Sequence, residues 1–354
     1  MLLEQLNAPF EMNQDQKQQV LFAELLALTD HHQAHCFYYQ NLVENIFVQK
    51  HFKQNEDLPF LPAQIFKYLP LKSIREEEVF RVLNSSGTTG QQPSQIFLDK
   101  AAATHQAKVL SSIVTNFIGK KRLPMLIVDH PSAVKSAGMT ARAAAILGFS
   151  SFGAQHTYLL SDEDLSLQVA ALQAFLEKFP QQPILMFGFT FMIWAYLYEY
   201  CQKNNIFLDL SQVILVHGGG WKKLANLNIG KETFKQCLAA QFNLTKVHDY
   251  YGMVEQIGTI FMECEFGKMH IPFFADVLIR DPIHFQALGV NQTGLIQVLS
   301  ILPKSYPGHS ILTEDLGKIT EIDECLCGRK GKVIEIHGRL PKAEARGCSD
   351  THQR

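Results

Sequence analysis

The run with the richest donor chemistry in this chain is Ser85-Ser86-Gly87-Thr88-Thr89-Gly90, followed by Gln91, Gln92, Pro93 and Ser94. Hydroxyls and glycines ahead of a proline are poor material for a helix or strand interior. They suit a loop wrapped around an anion, because glycines let backbone N–H groups come close and the hydroxyls add donors. Apolar runs at 80–83 and 96–98 predict a strand on each side, so the whole reads as strand, polyphosphate cradle, strand. It is not the P-loop of nucleotide hydrolases, since Gly90 is followed by Gln91 and not by Lys-Ser/Thr. Taken alone, a plain surface turn explains it equally well.

Further groups follow in order. Gly218, Gly219 and Gly220 close an apolar run ahead of Trp221, offering bare backbone against which a flat ring could lie, or simply a tight turn. Asp249-Tyr250-Tyr251-Gly252-Met253-Val254-Glu255 places an aromatic ring, a glycine and a carboxylate within one short segment. Thr313-Glu314-Asp315 and Gly338-Arg339 add a carboxylate and a guanidinium. Cys264, His270, Cys325 and Cys327 form a separate set of soft ligands suited to structural Zn²⁺, with buried unliganded cysteines as the alternative. His105, His130 and His156 read as polar or core histidines.

These residues need a scaffold, and the pattern predicts one. Apolar residues at helical spacing between about 13 and 52 predict two helices, and Pro59, Pro62 and Pro70 then punctuate an extended connector. In the middle, Met125–Val128, Ile184–Phe187 and Val213–Val216 each precede a helical stretch, at Ala137–Leu147, Phe191–Cys201 and Lys231–Phe242. Strand, turn and helix in repetition predict an α/β sheet with ligands at the carboxyl ends of its strands. Beyond Thr259, short alternating segments such as Ala275–Ile279, Gly294–Leu299 and Lys332–Ile336 predict a β-rich C-terminal part.

Composition narrows the function classes. The chain has 354 residues, 47% apolar and 19% charged, enough for a large core. A net charge of −2 gives no general attraction for nucleic acid. The apolar stretch Ile184–Tyr200 is short and interrupted by Gly188, Thr190 and Glu199, so it reads as a buried strand and helix and not as a membrane span. An odd count of seven cysteines and a start without a leader pattern suggest a cytoplasmic setting.

The four groups, in this order, resemble the adenylate-forming superfamily: the 85–90 loop its phosphate-binding loop, Tyr251-Gly252-x-x-Glu255 its adenine and magnesium element, Asp315 its ribose ligand, and Gly338-Arg339 its hinge. His217–Lys223, Tyr251–Gln256, Pro59–Pro62 with Phe66-Lys67, and Glu344–Ser349 further resemble the LuxE-type acyl-protein synthetases, with phenylacetate-CoA ligase-like enzymes as cousins that share Cys325-x-Cys327-Gly-Arg329.

The resemblance implies the large domain of the adenylate-forming fold, with a helical segment at 1–75, a core at 76–337 and a hinge and tail at 338–354. It implies ATP and Mg²⁺: residues 85–90 on the phosphates, Gly218–Gly220 and Tyr251-Gly252 at the ring, Glu255 on Mg²⁺, Asp315 on the ribose and Arg339 on ribose or phosphate. It implies a carboxylic, most readily fatty, acid as substrate, Cys348 as thioester-forming acyl acceptor, and delivery to a protein acceptor such as a reductase or acyltransferase. For the soft-ligand set it suggests zinc. Two departures stand out. The phosphate loop ends in Gln92-Pro93-Ser94 where lysine is usual, and only fifteen residues follow Arg339, which suggests a truncated lid. Lys342 is the only lysine among them, so adenylation would proceed without the lid lysine, use another cation such as Lys222 or Lys223, or depend on a partner protein. Phe187, Phe189, Phe191, Met192 and Trp194 are equally an acyl pocket or core. An acyl- or aryl-CoA ligase and a non-catalytic binding subunit are the competing readings.

Overall fold

The strand β4 (Leu123–Val128) sends Met125 and Ile127 into one core and Leu126 and Val128 into another. A strand buried on both faces has no solvent side, and this explains its unbroken apolar run. The strands β6 (Ile184–Phe189) and β7 (Val213–Gly218) divide in the same way, with Leu185, Phe187 and Val216 on one side and Ile184, Met186, Val213 and Leu215 on the other. With β5 (Gly153–Tyr158) and β8 (Lys246–Gly252) they form a parallel array in the order β8-β7-β6-β4-β5.

The structure, a computed structural model, describes residues 6–47, 51–85, 93–135, 141–221, 224, 227 and 229–340. The sheet continues antiparallel through β9 (Ile260–Glu263), β10 (Met269–His270), β15 (Lys332–Arg339), β14 (Ser310–Ile322), β13 (Gly294–Ser300), β11 (Ala275–Arg280) and β12 (Ala287–Leu288). The β-rich C-terminal part is therefore the second half of one sheet. The connector supplies β1 (Leu61–Pro62), which pairs parallel with β14 at Leu61↔Ile311 and Pro62↔Leu312. Apart from this sheet stands the hairpin of β2 (Arg81–Asn84) and β3 (Gln95–Leu98).

Helices α1 (Gln14–His35) and α2 (Phe37–Ile46) are the two expected at the start. Asn13 caps α1 by accepting from the Gln16 N–H at 3.0 Å. Gln14 and Lys17 then reach Asp276 on β11, which also takes Lys332 at 2.9 Å, all of them buried. Helix α3 (Lys100–Ile118), capped by Asp99, fills the space beside the hairpin. Helices α4 (Ala141–Ser150) and α5 (Val169–Lys178) and the helices 190–203 and Lys231–Phe242 cover the parallel half. The middle of helix 190–203, Ile193–Tyr198, winds as a π-helix.

Candidate functional site

The neck of the Ser/Gly/Thr loop is closed. Ser85 N–H donates to the Ser94 carbonyl at 3.0 Å, and Ser94 N–H donates to Ser85 Oγ at 2.8 Å. The hairpin register Asn84↔Gln95 leads straight into this pair. Ser86, Gly87, Thr88, Thr89 and Gly90 lie outside the described residues, as do Lys222, Lys223, Lys342 and Cys348.

Beside the neck sits Glu255, buried in a single turn after β8. Burial pushes its carboxyl above the usual range, opposed by the nearby Ser94 hydroxyl and, farther off, by Lys67 and Arg339. Ser94 Oγ is fully buried and has no hydrogen-bond partner at bonding distance among the described residues. An orphaned hydroxyl next to a carboxylate leaves donor and acceptor capacity for something to occupy.

The aromatic and ribose-type elements meet across strands. Tyr251 near the end of β8 donates its hydroxyl to Asp315 Oδ2 at 2.7 Å, and Arg339 Nε stands 3.4 Å from Asp315 Oδ1. The pairing of β14 with β15 places Asp315 opposite Arg339, although they are 24 residues apart. The Asp315 N–H donates to Thr313 Oγ1, which donates to the Ile296 carbonyl at 2.7 Å, so the Thr-x-Asp order ties this part of β14 to β13.

Gly218 ends β7 opposite Tyr250, and a Cβ there would come within 2.5 Å of the Tyr250 ring. Gly219 and Gly220 follow at φ +94° and +77°, left-handed geometry that suits glycine. Trp221 pins this turn by donating Nε1–H to Asp249 Oδ2 at 3.0 Å. Beneath it, fully buried His217 meets Thr190 Oγ1 at 3.0 Å, and burial drives the imidazole down to about 3. Gly252 closes β8, where a Cβ would come within 2.9 Å of Ile260.

The soft-ligand set also converges. Cys264 follows β9, His270 is on β10, and Cys325 and Cys327 lie between β14 and β15. One ligand atom from each lies within 4.8 Å of all the others, with Cys264 Sγ to Cys325 Sγ at 3.9 Å and Cys327 Sγ to His270 Nε2 at 3.3 Å. A zinc tetrahedron has S···S and S···N edges of about 3.8 and 3.6 Å, so this donor set fits one. Burial raises the Cys264 thiol to about 12. At Cys327 burial is outweighed by the Arg329 backbone and guanidinium, which lower the thiol.

Of the suggested acyl-pocket residues, Phe187, Met192 and Trp194 are core, Phe187 stacking on Phe149 at 4.4 Å. Sequence reading missed Lys67, Trp221 and Asp249 as site residues. Lys67 follows β1, and only the β1–β14 pairing brings its turn to the Thr313–Asp315 strand, where Gln64 donates to Glu314. Asp249 and Trp221 stood in quoted segments, but their bond joins the ends of two strands.

The sequence matches the family of acyl-protein synthetases, LuxE, over residues 3–354. The chain belongs to the LuxE family. It is 25% identical over 319 residues to the long-chain-fatty-acid–luciferin-component ligase of Aliivibrio fischeri, covering 88% of this chain and 82% of that protein. The corresponding ligase of Vibrio harveyi is 23% identical over 325 residues, covering 88% and 81%. Among solved structures, 2-hydroxyisobutyryl-CoA ligase in an open conformation with 2-HIB-AMP and CoA superposes with a TM-score of 0.72 at 17% identity, covering 94% of this chain and 76% of that one. The same ligase in its thioesterification state gives 0.73, covering 94% and 70%. The fold is therefore that of the adenylate-forming ligases, and this LuxE-family chain is an AMP-forming ligase that activates a carboxylic acid.

Proposed function

We propose that this LuxE-family ligase activates a long-chain fatty acid with ATP, moves the acyl group to its own Cys348 and hands it to a partner protein. A carboxylate is a poor acyl donor, because oxide would have to leave. Attack of a carboxylate oxygen on the α-phosphorus of ATP expels pyrophosphate and leaves an acyl-adenylate. The Cys348 thiolate then attacks the acyl carbon and AMP departs, giving a thioester. The observation that carries the adenylation half is the convergence of the Ser85–Ser94 neck, Glu255 and the Tyr251–Asp315–Arg339 group at one place.

Asp315 would accept the ribose hydroxyls, Tyr251 would lie against the adenine with Gly218–Gly220 and Gly252, and residues 85–90 would wrap the phosphates. Arg339 and Lys67 supply cations near the reacting phosphate. Glu255 fits Mg²⁺ as a buried carboxylate beside an orphaned hydroxyl, and the ion would neutralise phosphate charge. Cys264, His270, Cys325 and Cys327 would hold a structural Zn²⁺. In this reading residues 1–75 brace the sheet, 76–337 form the adenylating core, and 338–354 form the hinge and acyl-bearing tail. The proposed boundary at 337 falls inside β15, so the hinge continues that strand.

The test incubates the protein with ATP, Mg²⁺ and radiolabelled fatty acids. Hydroxylamine-sensitive label on the protein, lost in Cys348→Ala while pyrophosphate release persists, is the expected result. Label retained in Cys348→Ala overturns the acceptor, and AMP release that requires CoA makes the chain a CoA ligase. No AMP from any acid would support a binding subunit.

A further inference from the structure

Helix α3 buries Ala102, Gln106, Val109, Ile113 and Ile118. Its opposite face lines an open groove of about 730 Å³, bounded across the gap by Phe80, Arg81 and Phe152. Six cations border it: Arg81, Lys100, Lys108, Lys120, Lys121 and Arg122, all exposed. No carboxylate appears among the described lining residues, and none of the six is in an ion pair among the described residues. Between the cations lies an apolar strip of half-exposed Phe80 with Ala103 and Ala107. On a chain of net charge −2, this is a concentrated positive field.

Fold stability accounts for Arg122, whose Nε donates to the Gly153 carbonyl at 2.8 Å, but not for Lys100. Lys100 stands at the first turn of α3, whose first turn holds no acid, so a cation there opposes the helix dipole.

We propose that this groove docks a partner protein through an acidic amphipathic helix. The 19 residues of α3 span about 28 Å, with Lys100 and Lys108 on its first half, Lys120, Lys121 and Arg122 just past its C-terminal end, and Arg81 on β2. That spread matches about five turns of helix with flanking carboxylates and an apolar seam. A phosphate would instead need donors converging on one point. The groove also begins at Arg81, about 13 Å along β2 from Ser85, so the partner docks beside the neck of the phosphate loop. The inference adds a surface to the acyl-transfer reading but does not need it, because docking is measured without turnover.

The probe is a fluorescein-labelled acidic peptide of about 18 residues, with leucines at i, i+3, i+4 and i+7 spacing flanked by glutamates. Saturable binding is expected, weakening with salt and at least about tenfold weaker in the triple variant Lys100→Glu/Lys108→Glu/Lys121→Glu. Self-acylation should be unchanged, and Lys100→Glu alone should melt no lower than wild type while binding the probe less well. Absence of saturable binding up to about 1 mM overturns the proposal. So does equal affinity in the triple variant, or equal binding of a scrambled peptide or an oligothymidylate of matched charge.

Discussion

Asp249 shows what a single carboxylate does when a strand end buries it. Burial first, then the negative charge of Glu263, lifts it to about 7, while the Trp221 indole N–H pulls the other way. An unfolded aspartate titrates near 3.9, so the folded chain holds this proton more tightly. The stability it contributes therefore falls as pH rises from the ordinary carboxylate range to about 7. Asp249→Asn keeps an acceptor for Trp221 without the charge. Urea melts should show it about 1–2 kcal/mol more stable than wild type at pH 8, with the gap narrowing as pH falls. A gap independent of pH would contradict this account. Asp315 is a different residue-scale case, since it pairs with Tyr251 and Arg339 at the proposed ribose position. Asp315→Ala should weaken ATP binding by calorimetry about tenfold or more, and Tyr251→Phe less.

At the scale of elements, two clusters staple segments that lie far apart in the sequence. Cys264 follows β9 and His270 is on β10, while Cys325 and Cys327 belong to the β14–β15 connection. Purified protein should carry one equivalent of zinc by mass spectrometry, and Cys325→Ser should lose it and melt several degrees lower. Well under one equivalent in wild type would remove the metal. The second staple is aromatic. His32 on α1 stacks on His309 at 5.0 Å, and burial depresses both, His309 to about 3. Unfolded histidine titrates near 6.5, so this stability is intact above that pH and drains away as pH falls. Wild-type melting temperature should drop from pH 6.5 to 5, and His309→Gln should flatten the slope.

Across the whole molecule, α1 is clamped to the sheet by Lys17, Lys332 and Asp276, two ammonium groups sharing one buried carboxylate. Asp276→Ala would strand two buried cations and should cost about 3–5 kcal/mol in chemical denaturation. The strands β4, β6 and β7 were legible because burial on both faces demands continuous apolar runs such as Met125–Val128. Strand β5 was not legible, because Gly153–Tyr158 is a largely polar edge strand without an apolar run. The order and types of the site motifs were also local, since a phosphate loop needs its glycines and hydroxyls adjacent. So the sequence by itself determined the fold class, the family and the chemical types at the site. Tertiary structure alone decided that Asp315 meets Tyr251 and Arg339, that Lys67 stands near Glu255, and that six cations share one groove. The physical reason is that hydrogen-bond and charge partners are set by strand register and helix packing, which join residues far apart in the chain. Hydrophobic periodicity reports only which face of an element is buried.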